Sequence, residues 1–386
     1  MTSPALRPAD AAACAVALAE AARDGRTVRV RGAGTKSYLG ELVGTDSVLE
    51  TAAIAGIVDH VPADLTVTVR AGTSFADLQA ALRERGQFLP LDPPHADGAT
   101  LGGIVAANSN GFGRLRYGGV RHLLIGTVAA LVDGTVMRAG GRVVKNVAGY
   151  DLNKLLIGSL GTLGVVTETT WKVLPLPKAR ALTVARCATA ADAFAIADAL
   201  VRTPLRPSAL VVDGTRRAWA AIVAAQGEPA AVGRAMDEAG RAAARGGARS
   251  DRTDDDEQVL APLRDLPGTA TDGALVRASL PLAAQASFVA AALGLEPFAR
   301  CVADAGSGIV RIHLRGDDGA VLRAADTLMA GARSVGGSAR VERRDDALRD
   351  RLASWGPAPG GDFLMRRIRE AFDPARTLEP ARSIVR

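Results

Sequence analysis

Hydrophobic and polar positions along this chain follow two rhythms, and the rhythm switches many times. The alanine-rich run AAACAVALAEAA reads as a helix over about residues 10–23, ended by Gly25. VRVR (28–31) alternates every second residue, as a strand does, and opens into the loop GAGTK. TVTVRAG (66–72) is a second strand, leading to a helix at about 75–85 closed by Gly86. LLIGTVAALV (123–132) turns through Asp133-Gly134 into VMRA, a hairpin signal. DLNKLLIG (151–158) reads as one short helix, capped by Asp151 and ended by Gly158, and the β-branched run VVTETTWKVL (165–174) as a strand.

The alternation continues beyond residue 178 with LTVARC (182–187), SALVVDG (208–214), WAAIVAA (219–225), ALVRASL (274–280) and SGIVRIHL (307–314) as strands. Helical stretches fall at about 190–202, 228–245, 282–293 and 320–334. RSDRTDDDEQ (249–258) reads as an exposed loop, and FLMRRIREAFDP (363–374) as an amphipathic helix stopped by Pro374. Composition divides the chain near residue 178: every Lys, Tyr and Asn lies at or before it, and positive charge beyond it is carried by Arg alone. LPLPK (174–178) is a natural linker there, because proline cannot continue a central strand.

Three glycine-rich turns stand in the first part: RGAGTK (31–36), TLGGIVAANSNGFG (100–113) and GSLGTLG (158–164). Glycine reaches positive φ freely and leaves backbone N–H groups bare, so such loops can cradle phosphate. Any single glycine turn is more often structural; three in one region point to a long, phosphate-bearing ligand. The dinucleotide fingerprint GxGxxG and the GxxxxGK[ST] loop are both absent.

RGAGTKSYLG, TVTVRAGTSFADLQAAL, GATLGGIVAAN and GGRVVKNVAGYDLNKLLIGSLGTLGVVTETTWKVLPLP occur in that order, with REAFDPARTLEP (369–380) near the end. Together they resemble the vanillyl-alcohol oxidase-type (PCMH-type) FAD-binding superfamily, and within it the smaller flavin-binding subunits of bacterial glycolate oxidases. The resemblance implies an α/β (α+β) fold. A PCMH-type FAD-binding domain of two α/β subdomains would occupy residues 1–178, an α/β cap 179–345, and a helical segment returning to the FAD domain 346–386. It also implies that Gly32, Ala33, Gly34, Thr35, Lys36, Thr100, Leu101, Gly102 and Gly103 cradle the pyrophosphate and ribityl region. Gly161, Thr162, Gly164, Val165 and Val166 would meet FAD mainly through backbone, with Asn108, Lys145 and Asn146 close by. Covalent relatives often present His in the first glycine loop; Thr35-Lys36-Ser37 stands there, so non-covalent FAD is expected.

The chain also departs from that pattern. Related dehydrogenases tend to carry Glu where Leu160 stands, and two cap histidines that help hold a metal and substrate. Here HLRGDDGAV (313–321) keeps only His313, a candidate base for which a packed or surface role competes, and no metal site is expected. Glu379-Pro380-Ala381 replaces the usual Asn-Pro-Gly. Arg114 and Arg116 could pair with an anionic substrate or lie on a solvated surface.

Composition narrows the function classes. Hydrophobic residues at 48% and charged residues at 23% fit a globular protein, and the net charge of +6 admits nucleic acid as a partner. No Lys/Arg run is present and aromatic residues make up only 4%, so nucleic acid is not expected. Cys14, Cys187 and Cys301 stand far apart, which argues against a disulfide framework and against an iron–sulfur site in this chain. No stretch reads as a targeting or transmembrane segment, so a cytoplasmic place is expected, or a peripheral one at the inner membrane through a complex. The expected function is that of an FAD-binding subunit of a glycolate oxidase-type complex, oxidising a small 2-hydroxy acid to the 2-oxo acid. Its partners would be a larger FAD-binding subunit and an iron–sulfur subunit. The alternatives are a self-sufficient FAD dehydrogenase for another hydroxy acid or alcohol, and a non-catalytic subunit for assembly or electron relay.

Overall fold

The computed structural model describes residues 4–41, 43–141, 151–358, 360–379, 382 and 384. Chain contacts separate two units: Met1–Asn110, Gly118–Leu176 and Pro357–Arg386 form the first, Gly111–Tyr117 and Pro177–Gly356 the second.

In the first unit, Asp10 accepts the Ala13 N–H at 2.8 Å and starts the helix Ala11–Arg23. That helix buries Cys14, Ala15, Leu18 and Ala21 against Val28, Leu49 and Val165. Burial pushes the Cys14 thiol up to about 12, so it is an apolar core group rather than a reactive one. Strand Val28–Arg31 pairs in parallel with Ser47–Glu50, which pairs in parallel with Ala5–Leu6. The tail residue Leu378 adds a parallel bridge to Val28. A second, antiparallel sheet runs Ile57–Val61, Thr66–Arg70, Val165–Lys172, Leu124–Ala130, Val136–Gly140. Its core holds the fully buried Trp171, whose Nε1 donates to Thr169 Oγ1 at 2.8 Å. Ser74 and Thr100 cap the helices Phe75–Arg83 and Leu101–Ala107, and the latter ends on Asn108 at φ 47°.

The second unit is an eight-stranded antiparallel sheet. Its order is Arg249–Thr253, Ala179–Cys187, Trp219–Gly227, Ala209–Gly214, Phe298–Asp304, Ile309–Leu314, Ala274–Ser279, Ser338–Arg344. Period-two alternation sorts its two faces. Val276, Ala278, Val310, Ile312 and Val341 pack with the helices Ala190–Val201, Pro229–Arg245, Gln285–Leu293 and Asp318–Ser334. Leu275 and Val302 pack on the other side with Phe112, Leu260, Leu263 and Leu266. Among the described residues no helix is long and apolar enough to cross a membrane.

Two expectations are corrected, and the amphipathic helix before Pro374 is present. The 249–258 stretch is not a loop: Arg249–Thr253 forms the sheet's edge strand, paired with Leu182–Arg186, and a helix starts at Asp256. An edge strand with both faces wet tolerates a wholly polar sequence, which hid it. Asp151 does not cap the helix Asn153–Leu156 with its side chain; its carboxylate takes the Asn153 amide at 2.9 Å and Lys154 Nζ at 3.5 Å. The C-terminal helix spans Asp362–Phe372 and turns Phe363, Leu364 and Met365 to solvent.

Candidate cofactor cleft and anion site

In the first unit, an open cleft runs between the strand Val28–Arg31, the loop behind it, the helix Leu101–Ala107 and the turn at 160–166. Close chain packing brings these loops together. A Cβ on Gly102 would stand 2.8 Å from Ala71 Cβ, and one on Gly164 2.9 Å from Leu131 Cδ2. Gly161 sits at φ 80° and Gly34 at φ 79°, where a side chain is strained. Leu160 also holds a positive φ, of 54°, and faces the cleft instead of the core. The residue type behind most of these approaches was legible in the sequence; the packing need behind it was not.

Of the residues expected around the cofactor, Gly32, Ala33, Gly34, Thr35 and Lys36 line this cleft, as do Thr100, Gly102, Gly103, Gly161, Gly164 and Val166. Leu101 and Val165 point into the hydrophobic cores. Thr162 is buried with Oγ1 donating to Ser159 O at 2.7 Å, and Asn108 terminates its helix and accepts from Asn110. Lys145 and Asn146, with Tyr150, lie outside the described residues. Arg31 and Ser37, inside the RGAGTKSYLG motif, line it too, and so do Arg29, Thr51 and Arg382, which carried no signal in the sequence. Among the described lining residues the charged ones are all cations. Bare backbone, hydroxyls and cations along the cleft fit a dinucleotide with a diphosphate.

The second unit holds a different site on the sheet face away from its four helices. Arg277 stands directly opposite Arg311 on one neighbouring strand and opposite Arg340 on the other. Like charges in direct register repel. One carboxylate, Glu342, is buried among them: Arg311 Nε donates to it at 2.7 Å, Arg340 Nη2 lies at 3.4 Å and Arg277 Nε at 4.0 Å. Burial alone would raise the Glu342 carboxyl; Arg311, Arg340 and Arg277 overcome that and hold it at about 2. Burial, then Arg340, drive Arg277 down to about 9. Three guanidiniums gathered around one carboxylate form a positive field that suits a small anion. Arg114 adds to that field, whereas Arg116 is spent on Arg206 O at 2.7 Å.

His313 lies on the same strand as Arg311, buried, with Nε2 2.8 Å from Asp272 O. A carbonyl only accepts, so that nitrogen carries the proton. Among the described residues no group of three or more His, Cys, Asp and Glu is arranged to hold a metal.

Residues 3–140 match the family model of the FAD binding domain. Glycolate oxidase subunit GlcE of Escherichia coli is 43% identical over 161 residues, 42% of this chain and 46% of that one. Glycolate oxidase subunit GlcD of Bacillus subtilis is 42% identical over 117 residues, 30% of this chain and 25% of that one. A mitochondrial cytochrome-type D-lactate dehydrogenase of Arabidopsis thaliana is 37% identical over 145 residues, 38% and 25% of the two chains. The matches thus span between a quarter and about half of these relatives. A solved structure of alkyldihydroxyacetonephosphate synthase superposes with a TM-score of 0.73 at 15% identity, over 98% of this chain and 77% of that one, which shows the fold.

Proposed function

This chain carries a PCMH-type FAD-binding domain, and from that premise we propose that it is the FAD-binding subunit of a glycolate oxidase-type complex that oxidises a 2-hydroxy acid to the 2-oxo acid. The observation that carries the reading is the arginine row Arg311–Arg277–Arg340. An FAD domain by itself has no use for a half-buried row of cations; a 2-hydroxy carboxylate does. FAD, when bound, accepts the hydride. The glycine loops and Thr100 hold it through backbone N–H groups and hydroxyls. On the sheet of the second unit, Arg277 and Arg340 offer guanidiniums to a carboxylate, while Arg311 keeps its bond to Glu342.

The similarity to GlcE and GlcD, both named as glycolate oxidase subunits, supports a place in a multi-subunit assembly; on this reading its partners are a larger FAD-binding subunit and an iron–sulfur subunit. The FAD is held without a covalent bond on this reading, because the described lining of the cleft contains no His, Cys or Tyr.

The test follows flavin absorbance while glycolate or D-lactate is added without oxygen, to the chain alone and to the co-expressed complex. Dye reduction in the complex, abolished by omitting this chain and weakened through KM by Arg277→Met, supports the reading. Acid should release the yellow colour into the supernatant. Flavin reduction by the isolated chain at an ordinary enzyme turnover, roughly 1–1000 per second, would replace it with a self-sufficient dehydrogenase.

A further inference from the structure

We infer that the C-terminal tail adds to the charge of the cofactor cleft: Arg382 of the tail and Arg29 of the strand Val28–Arg31, set by the carboxylate of Glu379, bind the diphosphate of the dinucleotide. The inference rests on the reading of the cleft as an FAD site.

The tail reaches the cleft by a fixed route. Asp373, fully buried, accepts the N–H groups of Thr377 at 2.9 Å and Leu378 at 2.7 Å and shapes the turn after the last helix. The tail then runs beside Val28: Val28 N donates to Thr377 O at 2.7 Å, and Glu379 N donates to Val28 O at 3.0 Å. Glu379 takes up φ 39° and turns its side chain inward, where Oε1 accepts the Val30 N–H at 2.9 Å. Its carboxylate is only 3% exposed. Burial pushes that carboxyl up, against the opposing pull of Arg382 and Arg29.

One carboxylate is shared by two guanidiniums, and loosely. Glu379 Oε2 lies 3.5 Å from Arg382 Nε and 4.0 Å from Arg29 Nε. Arg29 Nε is buried with no hydrogen-bond partner, which a protein tolerates poorly unless a ligand completes it. Both arginines line the cleft. Arg382 Nη2 also donates to Ser37 O at 3.2 Å, tying the tail to the first glycine loop. Among the described lining residues none is acidic, and Arg29 and Arg382 set two guanidiniums beside that loop, where a diphosphate carries its negative charge. Glu379 is a positioning residue: it fixes the spacing of the pair and the path of the tail.

The experiment titrates the flavin-free full chain with FAD and riboflavin by fluorescence, and with ADP and adenosine by displacement of FAD. Arg382→Met should weaken FAD and ADP by about 10–100-fold and leave riboflavin and adenosine within about twofold, with Arg382→Lys recovering part of the loss. Wild-type FAD affinity should fall with added salt while riboflavin affinity stays level, a readout that needs no variant to fold. Equal weakening of FAD and riboflavin, an unchanged FAD affinity in Arg382→Met, or equal salt dependence of the two ligands each overturns the inference. Wild-type protein that binds none of the four ligands would instead remove the FAD reading beneath it.

Discussion

Gly32 and Thr100 stand so close that a Cβ on the glycine would lie 2.3 Å from the threonine Oγ1. Thr100 is the N-cap of the helix Leu101–Ala107 and Oγ1 is its capping atom, so the two glycine loops meet at a helix start. Gly32→Ala is therefore expected to displace the cap and cost roughly 1–3 kcal/mol. Urea unfolding and flavin content measure it. A variant as stable and as yellow as wild type would show that Thr100 moves aside freely.

Gly161 presents the other kind of demand. Its φ is 80°, yet a Cβ there would meet nothing closer than Val30 Cβ at 3.4 Å. The added atom points at the strand and the tail rather than along the cleft, so conformation sets the cost. Gly161→Ala should lose about 1–2 kcal/mol, and Gly161→Val more, because its branches press on Val30. Thermal unfolding of both variants with and without FAD tests this. Equal losses for the two would mean that strain alone is felt.

Glu342 makes stability depend on acid. Its carboxyl is held at about 2 against an ordinary 4.5, so its contribution is complete above that ordinary value and disappears as pH falls towards about 2. Glu342→Gln leaves Arg277, Arg311 and Arg340 facing one another and should cost roughly 3 kcal/mol near neutrality. Denaturant unfolding across pH should show the gap to wild type closing on the acid side. A gap constant with pH would remove Glu342 from the field of the arginines. Oxalate should raise the thermal midpoint of wild type by binding the same row, and Arg277→Met should reduce that rise.

Asp373→Ala removes the acceptor of two buried backbone N–H groups, those of Thr377 and Leu378. The expected loss is about 1–3 kcal/mol, together with faster amide exchange at Val28 and Val30, which pair with the tail. Exchange at Val28 and Val30 as slow as in wild type would show that the tail is held by other means.

Local chemistry was written in the sequence. Strands such as Val28–Arg31 and helices such as Ala11–Arg23 could be read because period-two and helical burial repeat within a few residues. The glycine loops could be read because positive φ leaves few alternatives to glycine. Tertiary structure decided what the chain brings together over long separations. Arg277, Arg311 and Arg340 look like scattered surface arginines until strand register sets them in one row. Thr377 and Glu379 reach Val28 across nearly the whole chain through backbone hydrogen bonds that carry no side-chain signature, and Arg382 follows them. Arg249–Thr253 becomes a strand only because Ala179–Cys187 offers it an edge. Pairing between distant strands is specified by the whole sheet, so no short window of sequence could have held it.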